Sequence, residues 1–264
     1  MNAFTEEAVQ AALPRGDLAY TLRRSPRARR VRVVVDPRRG VLVTVPGGRR
    51  LGAREGRRIA AEFVREREPW IRRHLDRQAR QLADHAARGP LGPGARLRFG
   101  GVDLTLALVP APPGTRRAAV FLDAGAAQLI VRPTARDGRP LERILGDWLR
   151  ERARSAIEAA IDAHAAALGV RPVAITIRDP RSRWGSASRA GRLSFSWRLV
   201  LAPPEALETV VVHELAHLRV FGHGPRFWAF VSGRRPDHLV WRRWLREHSV
   251  ELHAALELPG DEAA

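Results

Sequence analysis

The segment His213-Glu-Leu-Ala-His217 combines the residue types and the spacing that hydrolytic zinc chemistry uses. On an α-helix, positions four apart differ by ~6 Å of rise and ~40° of rotation, so the two imidazoles project from one face. Two neutral imidazoles in that arrangement can bind one Zn²⁺. Glu214 lies about 100° around the helix, where its carboxylate can take a proton from a zinc-bound water and return it to a leaving group. The pattern therefore predicts a zinc site with Glu214 as the catalytic base.

A catalytic zinc ion needs a third protein ligand and one open position. His223 is the best candidate for that ligand, because it follows Gly222, where the helix should stop. A glycine with positive φ allows the chain to turn back and bring His223 toward the metal. Other nearby side chains stay open as alternative ligands: Glu205, Glu208, Asp237 and His238.

The same segment also has a plainer interpretation as a core helix. Three valines at 210–212 precede the histidines and apolar residues follow as far as Phe221. Histidines in such a helix are more often hydrogen-bonded than bound to a metal. Glu214 favours the metal site, because a carboxylate in an apolar helix is costly unless it is paired or takes part in chemistry.

The N-terminal half of the chain is predicted to be rich in β-structure. Short alternating runs predict strands at 18–24, 30–36 and 41–46, and again between 97 and 132. A helical pattern lies between them at 52–88, with Pro69 expected to end one helix and begin the next. We therefore expect a β-rich N-terminal lobe over 17–135 with a helical insertion, preceded by a flexible tail at 1–16.

The C-terminal half is predicted to carry the chemistry. Apolar residues recur near a period of 3.6 from Leu141 to Leu168, and Gly169 is a suitable helix stop. The elements predicted after this helix are strands at 173–179, 181–188 and 191–199, with an RAG turn before the last, and then the histidine-bearing helix at about 204–221. We therefore expect a catalytic domain over 136–256, followed by a tail at 257–264.

The composition limits the chemistry and the cellular location. The chain of 264 residues has no cysteine, which excludes disulfides, thiolate ligands and a cysteine nucleophile, and fits a reducing cytosol. The N-terminus lacks the basic start and apolar run of a signal peptide. No stretch approaches the ~18 apolar residues that a membrane span needs. A cytoplasmic protein without a membrane partner is the expectation.

The charge indicates a possible anionic partner. The formal net charge is +18, and all 46 basic residues are arginine, whose planar fork suits phosphates and carboxylates. A nucleic acid or nucleotide partner is compatible with this charge. The arginine excess accompanies many Ala, Gly and Pro residues, which is also typical of GC-rich codon usage, so the charge is a weak indicator.

A longer part of the sequence resembles a known family. The stretches RWGSAS at 183–188, GRLSFSWRL at 191–199 and PPEALETVVVHELAHLRVFGHGPRFW at 203–228 are similar to YgjP-like (WLM-type) zinc metallopeptidases, which are relatives of the SprT-like proteases. Two positions depart from the family pattern. Ala187 stands where the family usually has Cys, and Ser196 stands where it usually has Asn. Neither position is among the predicted ligands.

The resemblance implies an α+β fold with a zincin-like catalytic domain, in which a long helix and a small antiparallel sheet precede the metal helix. By analogy, the strand at 191–199 would line the substrate cleft and pair with an extended peptide. A donor is also needed for the oxyanion that develops during hydrolysis. Tyr20, the only tyrosine, is far away in sequence, so Arg181, Arg183 and His238 are the candidates.

Together these observations predict a zinc-dependent hydrolase, with a metallopeptidase that acts on a peptide or protein as the leading interpretation. Two alternatives stay open. One is a metal-dependent hydrolase of nucleotide phosphoanhydride bonds, because arginines can clamp phosphates. The other is a SprT-like protease that acts in association with nucleic acid.

Overall fold

The computed structural model describes residues 4–36, 39–47, 52–86, 91–180 and 183–256. Within these ranges the protein is a mixed α+β protein with eleven strands, five α-helices and one 3₁₀ helix. The chain forms two compact units, Met1–Asp84 and His85–Ala264. No helix in the described ranges is both long enough and apolar enough to cross a membrane. The tail expected at 257–264 lies outside the described residues.

The first unit contains a four-stranded sheet and a long helix. Its elements are β1 (Thr5–Ala11), β2 (Leu18–Ser25), β3 (Arg32–Asp36), β4 (Gly40–Pro46) and α1 (Ala53–Ala86). The strand order is β1-β2-β4-β3, with β2 parallel to β4 and both outer pairs antiparallel. Alternation along β4 buries Val41, Val43 and Val45, and α1 contributes Val64 and Ile71 to the same core.

Two features of this unit differ from the sequence-based expectation. Residues 1–16 were expected to be a flexible tail, but β1 pairs with β2 from Thr5 opposite Arg24 to Ala11 opposite Leu18. Pro69 was expected to separate two helices, but α1 continues through it. Proline removes one backbone hydrogen bond. Burial of Val64 and Ile71 on either side of Pro69 keeps both halves of the helix on the core.

The second unit begins with a sheet of the same design. Its strands are β5 (Arg96–Phe99), β6 (Val102–Leu108), β7 (Ala119–Asp123) and β8 (Gln128–Arg132), followed by α2 (Leu141–Leu168). The order is β5-β6-β8-β7, again with a parallel central pair and antiparallel outer pairs. Both units therefore contain the same four-strand arrangement followed by a long helix. The sequence shows no repeat that would have predicted this.

The remaining elements surround the predicted metal segment. They are β9 (Ala174–Arg178), β10 (Gly185–Ala187), β11 (Arg192–Ser196), a 3₁₀ helix (Trp197–Leu201), α3 (Pro204–His217), α4 (Pro225–Arg234) and α5 (His238–Ala254). The three strands follow the order β10-β11-β9. Strand β10 is antiparallel to β11, but β9 is parallel to it, so the sheet is mixed and not antiparallel as expected.

One hydrophobic core holds the whole second unit. Leu104 and Leu129 of its first sheet belong to the same buried cluster as Leu145 of α2 and Val211 of α3. In the turn between β5 and β6, the amide of Gly100 also donates a hydrogen bond to the carbonyl of Val200 at 2.8 Å. The sequence placed a boundary between 135 and 136, whereas the structure divides the chain at Asp84 and His85, because β5 to β8 share a core with the helices.

A buried arginine ties the 3₁₀ helix to its surroundings just before α3. Arg198 donates to both carboxylate oxygens of Asp179, at 2.7 and 2.9 Å, and to the carbonyls of Leu252 and Leu256. Burial by itself raises the pKa of Asp179, but the hydrogen bonds and charge of Arg198 hold that pKa below its usual value. The 3₁₀ helix is thereby fixed to the residue after β9 and to the C-terminal end of α5.

We predict that Arg198→Met destabilises the protein by about 3–5 kcal/mol, because it leaves Asp179 buried without its partner.

Asp179→Asn tests the contribution of the carboxylate charge alone. A carboxylate with a lowered pKa contributes stability that is present above its unfolded pKa of about 3.9 and is lost as the pH falls through the folded pKa. In urea unfolding between pH 7 and pH 3, the wild type should therefore approach the stability of Asp179→Asn below about pH 4. A pH-independent difference between the two proteins would contradict this.

Candidate metal centre

Helix α3 has one face in the core and another face toward a cavity. Val211, Val212 and Leu215 are fully buried, whereas His213 and His217 are only partly buried. Since residues four apart share a helix face, burial of the first set directs both imidazoles toward the same side. The amphipathic character of α3 therefore positions the two histidines that the sequence singled out.

The helix ends at His217 and not near residue 221 as the sequence predicted. The amide of Leu218 donates to Leu215 and that of Arg219 donates to Ala216, which tightens the last turn. Gly222 then adopts a φ of 98°, the left-handed conformation that glycine allows without strain. This reversal brings His223 back beside the helix.

The three histidines meet in one cluster. Each histidine contributes one ring nitrogen, and the three nitrogens lie within 4.8 Å of one another; the residues are His213, His217 and His223. The Nε2 atoms of His213 and His223 face each other at 3.1 Å. Within the described residues, this is the group of histidine and carboxylate side chains that could hold a metal ion.

The early end of α3 also orients His217. Its Nδ1 lies 3.3 Å from the carbonyl oxygen of Val220. A carbonyl can only accept a hydrogen bond, so Nδ1 carries the proton and Nε2 keeps its lone pair. A hydrogen bond of this kind to the second ring nitrogen is typical of metal-binding histidines.

The electrostatic surroundings favour the neutral form of His213 and His217. Burial, followed by the charges of His217 and His223, lowers the pKa of His213 to about 3. Burial also lowers the pKa of His217. At neutral pH these two imidazoles are therefore unprotonated, which is the state that binds a metal ion.

Two aromatic residues of α4 contact the histidines. Phe227 is fully buried and stacks on the ring of His217 at a centroid distance of 4.4 Å. Trp228 lies 5.7 Å from the rings of both His213 and His223. Together they form an apolar wall against the imidazoles, which lowers the local dielectric and limits access of solvent.

Glu214 is buried next to the cluster and packs directly on a glycine. A Cβ atom at Gly185 would lie 2.7 Å from Cγ and 2.9 Å from Oε1 of Glu214, so only glycine fits there without displacing the carboxylate. Burial raises the pKa of Glu214 to about 7, and the charge of Arg183 opposes that increase. A cation held by the histidines would lower this pKa as well, because a neighbouring positive charge favours the carboxylate. No motif or spacing in the sequence indicated this role for Gly185.

A cavity of about 300 Å³ opens over these residues, lined by the three histidines, Glu214, the segment Phe221–Gly222 and all of β10. Strand β10 is at the edge of its sheet, whereas β11 is bonded on both sides. The strand at 191–199 was expected to line the cleft and pair with substrate. That expectation is wrong, because the central position of β11 leaves it no free edge.

The other predicted residues lie in different surroundings. Arg183 is exposed, and its charge acts on Glu214. His238 is buried, accepts or donates one hydrogen bond with Ser232 at 3.1 Å, and stacks on the side of Trp228. Arg181 lies outside the described residues.

The alternative metal ligands are not in the cluster. Glu208 and Asp237 both accept hydrogen bonds from Arg235, at 2.6 and 3.0 Å. Glu205 is exposed in the first turn of α3. The carboxylates of Glu208 and Asp237 therefore belong to an ion-pair network that joins α3 to the start of α5, and Glu205 adds only its backbone carbonyl to this network.

Comparison with known proteins identifies related sequences. A model of the family described as "YgjP-like, metallopeptidase domain" matches residues 29–248, most of the chain. No curated protein gives a match. A crystal structure of the metallopeptidase zymogen of Pyrococcus abyssi abylysin is 21% identical, with a TM-score of 0.31, over 37% of this chain and 95% of its own. That likeness is too distant to support an argument. The matched family implies a metal, and the three clustered histidine nitrogens of this chain fit one.

We predict that the wild type binds about one divalent metal ion per chain and that His223→Ala loses most of this binding, since three protein ligands are the usual minimum for such a site. Because His223 lies in the turn after α3, its removal should leave the metal-free melting temperature nearly unchanged. The metal-dependent increase in melting temperature, which follows from binding to the folded state, should disappear.

The measurements are metal content by mass spectrometry after dialysis and thermal unfolding with and without added metal. His248→Ala is a matched control, because His248 is in the same unit but outside the cluster. Equal metal content in wild type and His223→Ala would contradict the assignment.

Proposed function

The chain belongs to the YgjP-like metallopeptidase family, and from this we propose that it is a zinc-dependent peptidase with a zincin-like site, in which Glu214 activates the attacking water. Three histidine nitrogens within 4.8 Å of one another, beside a buried carboxylate, are the observation that supports this function most directly. The family description makes a peptide or protein the expected substrate.

Zinc suits the donor set better than a harder cation does. Imidazole nitrogens are preferred ligands of zinc, whereas calcium and magnesium prefer oxygen. Two nitrogens bonded to one zinc ion at ~2.0–2.1 Å lie roughly 3.3 Å apart. The 3.1 Å between the Nε2 atoms of His213 and His223 is close to this value. When bound, a zinc ion supplies a Lewis acid that acidifies water and polarises a carbonyl oxygen.

Glu214 supplies the proton transfers. Its buried carboxylate takes a proton from the water that attacks the peptide carbonyl and then delivers that proton to the leaving nitrogen. Burial raises the pKa of Glu214, whereas the charge of Arg183 and that of a bound cation lower it, and a base that must both accept and return a proton needs a pKa between these extremes. Contact with Gly185 holds the carboxylate at one side of the cavity.

The free edge of β10 is the element best suited to align the substrate. An extended peptide can add to a sheet edge through backbone hydrogen bonds, independently of its side chains. Because β10 lines the same cavity as Glu214, a peptide bound there would pass directly in front of the carboxylate. Phe227 and Trp228 would exclude water from the side of the histidines.

Of the two expected oxyanion donors that the structure describes, Arg183 is the better placed. It is exposed and close enough to Glu214 to act on its pKa. His238 instead stacks on Trp228 and bonds to Ser232. A guanidinium beside the catalytic base can donate to an oxygen that becomes negative during the reaction.

We predict that Glu214→Gln lowers the hydrolysis of fluorescent casein by roughly 10²–10⁴-fold, the usual contribution of a general base. Its metal content should stay unchanged, because Glu214 is not a ligand. Glu205→Gln is the matched control, since it changes an exposed glutamate of the same helix and should retain activity. A panel of nucleoside triphosphates should be assayed in parallel. Glu214-dependent phosphate release without peptide cleavage would contradict the peptidase function.

We also predict that Gly185→Ala lowers the rate by roughly 10–100-fold, because a small displacement of a catalytic group is costly. The three atoms nearest to the added methyl group would all belong to Glu214, so the substitution would push this carboxylate aside first. Metal content should therefore match the wild type. Gly233→Ala is the control, because a Cβ at that position meets no atom within 4 Å. Wild-type activity in Gly185→Ala would show that the contact does not position Glu214.

A further inference from the structure

A second cavity, of about 230 Å³, lies beside the candidate metal centre and is lined by Arg171, Arg189 and Arg219. We call it the arginine pocket. Phe221 lines both cavities, so the two are neighbours. We propose that the arginine pocket is an anion subsite that binds a carboxylate of the peptide substrate, from an acidic side chain or the C-terminus. This specificity rests on the proposed peptidase function.

The three arginines have no carboxylate partner within the described residues, and this distinguishes them from other arginines of the same unit. Arg198 and Arg235, for example, each bond to one or more carboxylates. Three positive charges around a small cavity repel one another. A bound carboxylate would relieve that repulsion and accept charge-assisted hydrogen bonds from the guanidinium groups.

Two of these side chains are held in place by their surroundings. Arg219 donates from Nη1 to the carbonyl of Leu168 at 3.2 Å, at the end of α2. Gly169 makes room for it, because a Cβ there would lie 2.8 Å from that nitrogen. Arg189 lies over the ring of Phe221 at 5.4 Å. Groups fixed before binding lose less conformational entropy when a ligand arrives.

The chain leads directly from the catalytic glutamate to the arginine pocket. Gly185 contacts Glu214, and β10 lines the first cavity along its whole length. Ser188 and Arg189 follow β10 and line the second cavity. Because an extended strand advances about 3.3 Å per residue, a peptide along β10 would cover this distance with roughly four residues.

This continuity favours a carboxylate of a peptide over a free phosphate. A peptide paired with β10 would deliver a side chain to the pocket three or four residues from the bond that Glu214 acts on. The formal charge of +18 also favours acidic substrates, because it attracts them before binding. Inorganic phosphate is also negatively charged, but it would not pair with β10 as a peptide does.

The experiment uses zinc-loaded full-length protein and an internally quenched decapeptide library in which each position in turn is Glu or Gln. The wild type should prefer Glu at one position three or four residues from the cleaved bond. Replacing Arg171, Arg189 and Arg219 together by Gln should lower kcat/KM for Glu peptides by roughly tenfold, the usual effect of losing hydrogen bonds to a charged group. Cleavage of the matched Gln peptides should change less than about twofold.

Arg143→Gln is the matched control, because it removes an exposed arginine of α2 that does not line either cavity. Cleavage by the wild type without a preference for Glu, or a preference that survives in the triple variant, would overturn the subsite.

A binding experiment tests the subsite independently of the peptidase function. Glu214→Gln is titrated with fluorescein-labelled Glu and Gln peptides, and inorganic phosphate is added as a competitor. Tighter binding of the Glu peptide that requires the three arginines supports the subsite even if no peptide is cleaved. Equal binding of both peptides, together with arginine-dependent phosphate binding, would assign the pocket to phosphate and overturn the carboxylate proposal.

Discussion

The early end of helix α3 is the constraint on which the rest of the site depends. The helix stops at His217, so the carbonyl of Val220 is free to accept from the ring of His217. The same reversal, with Gly222 at positive φ, returns His223 to within 3.1 Å of His213. A helix continued to residue 221 would carry His223 away along the axis instead of returning it to His213. The three histidines therefore meet because regular structure ends early.

The buried glutamate imposes a second requirement, on a different element. Glu214 can occupy its position only because Gly185 has no side chain, and Gly185 belongs to the edge strand of a small sheet. The carboxylate of Glu214 therefore packs against one face of the strand whose edge is proposed to bind the peptide. The arginine pocket lies where that strand ends.

The surrounding unit keeps these elements in register. The core buries one face of α3 together with α2 and the sheet formed by β5 to β8. Arg198 joins the 3₁₀ helix before α3 to Asp179 and to two carbonyls near the end of α5. Such buried charge pairs resist rearrangement, because breaking one leaves a charge without compensation. The start of α3 is therefore anchored, while the side that faces the cavity carries His213 and His217.

The sequence alone determined what depends on neighbours along the chain. The spacing of His213 and His217 puts them on one helix face, Gly169 ends α2, and alternating valines form β4. The tertiary structure decided which elements meet. It placed Gly185 next to Glu214 and put β10, not β11, at the sheet edge. It also made the strands from β5 through β8 part of the second unit and brought Arg171, Arg189 and Arg219 together around one cavity. Periodicity and turn residues record interactions within an element, whereas contacts between elements arise only when the core packs.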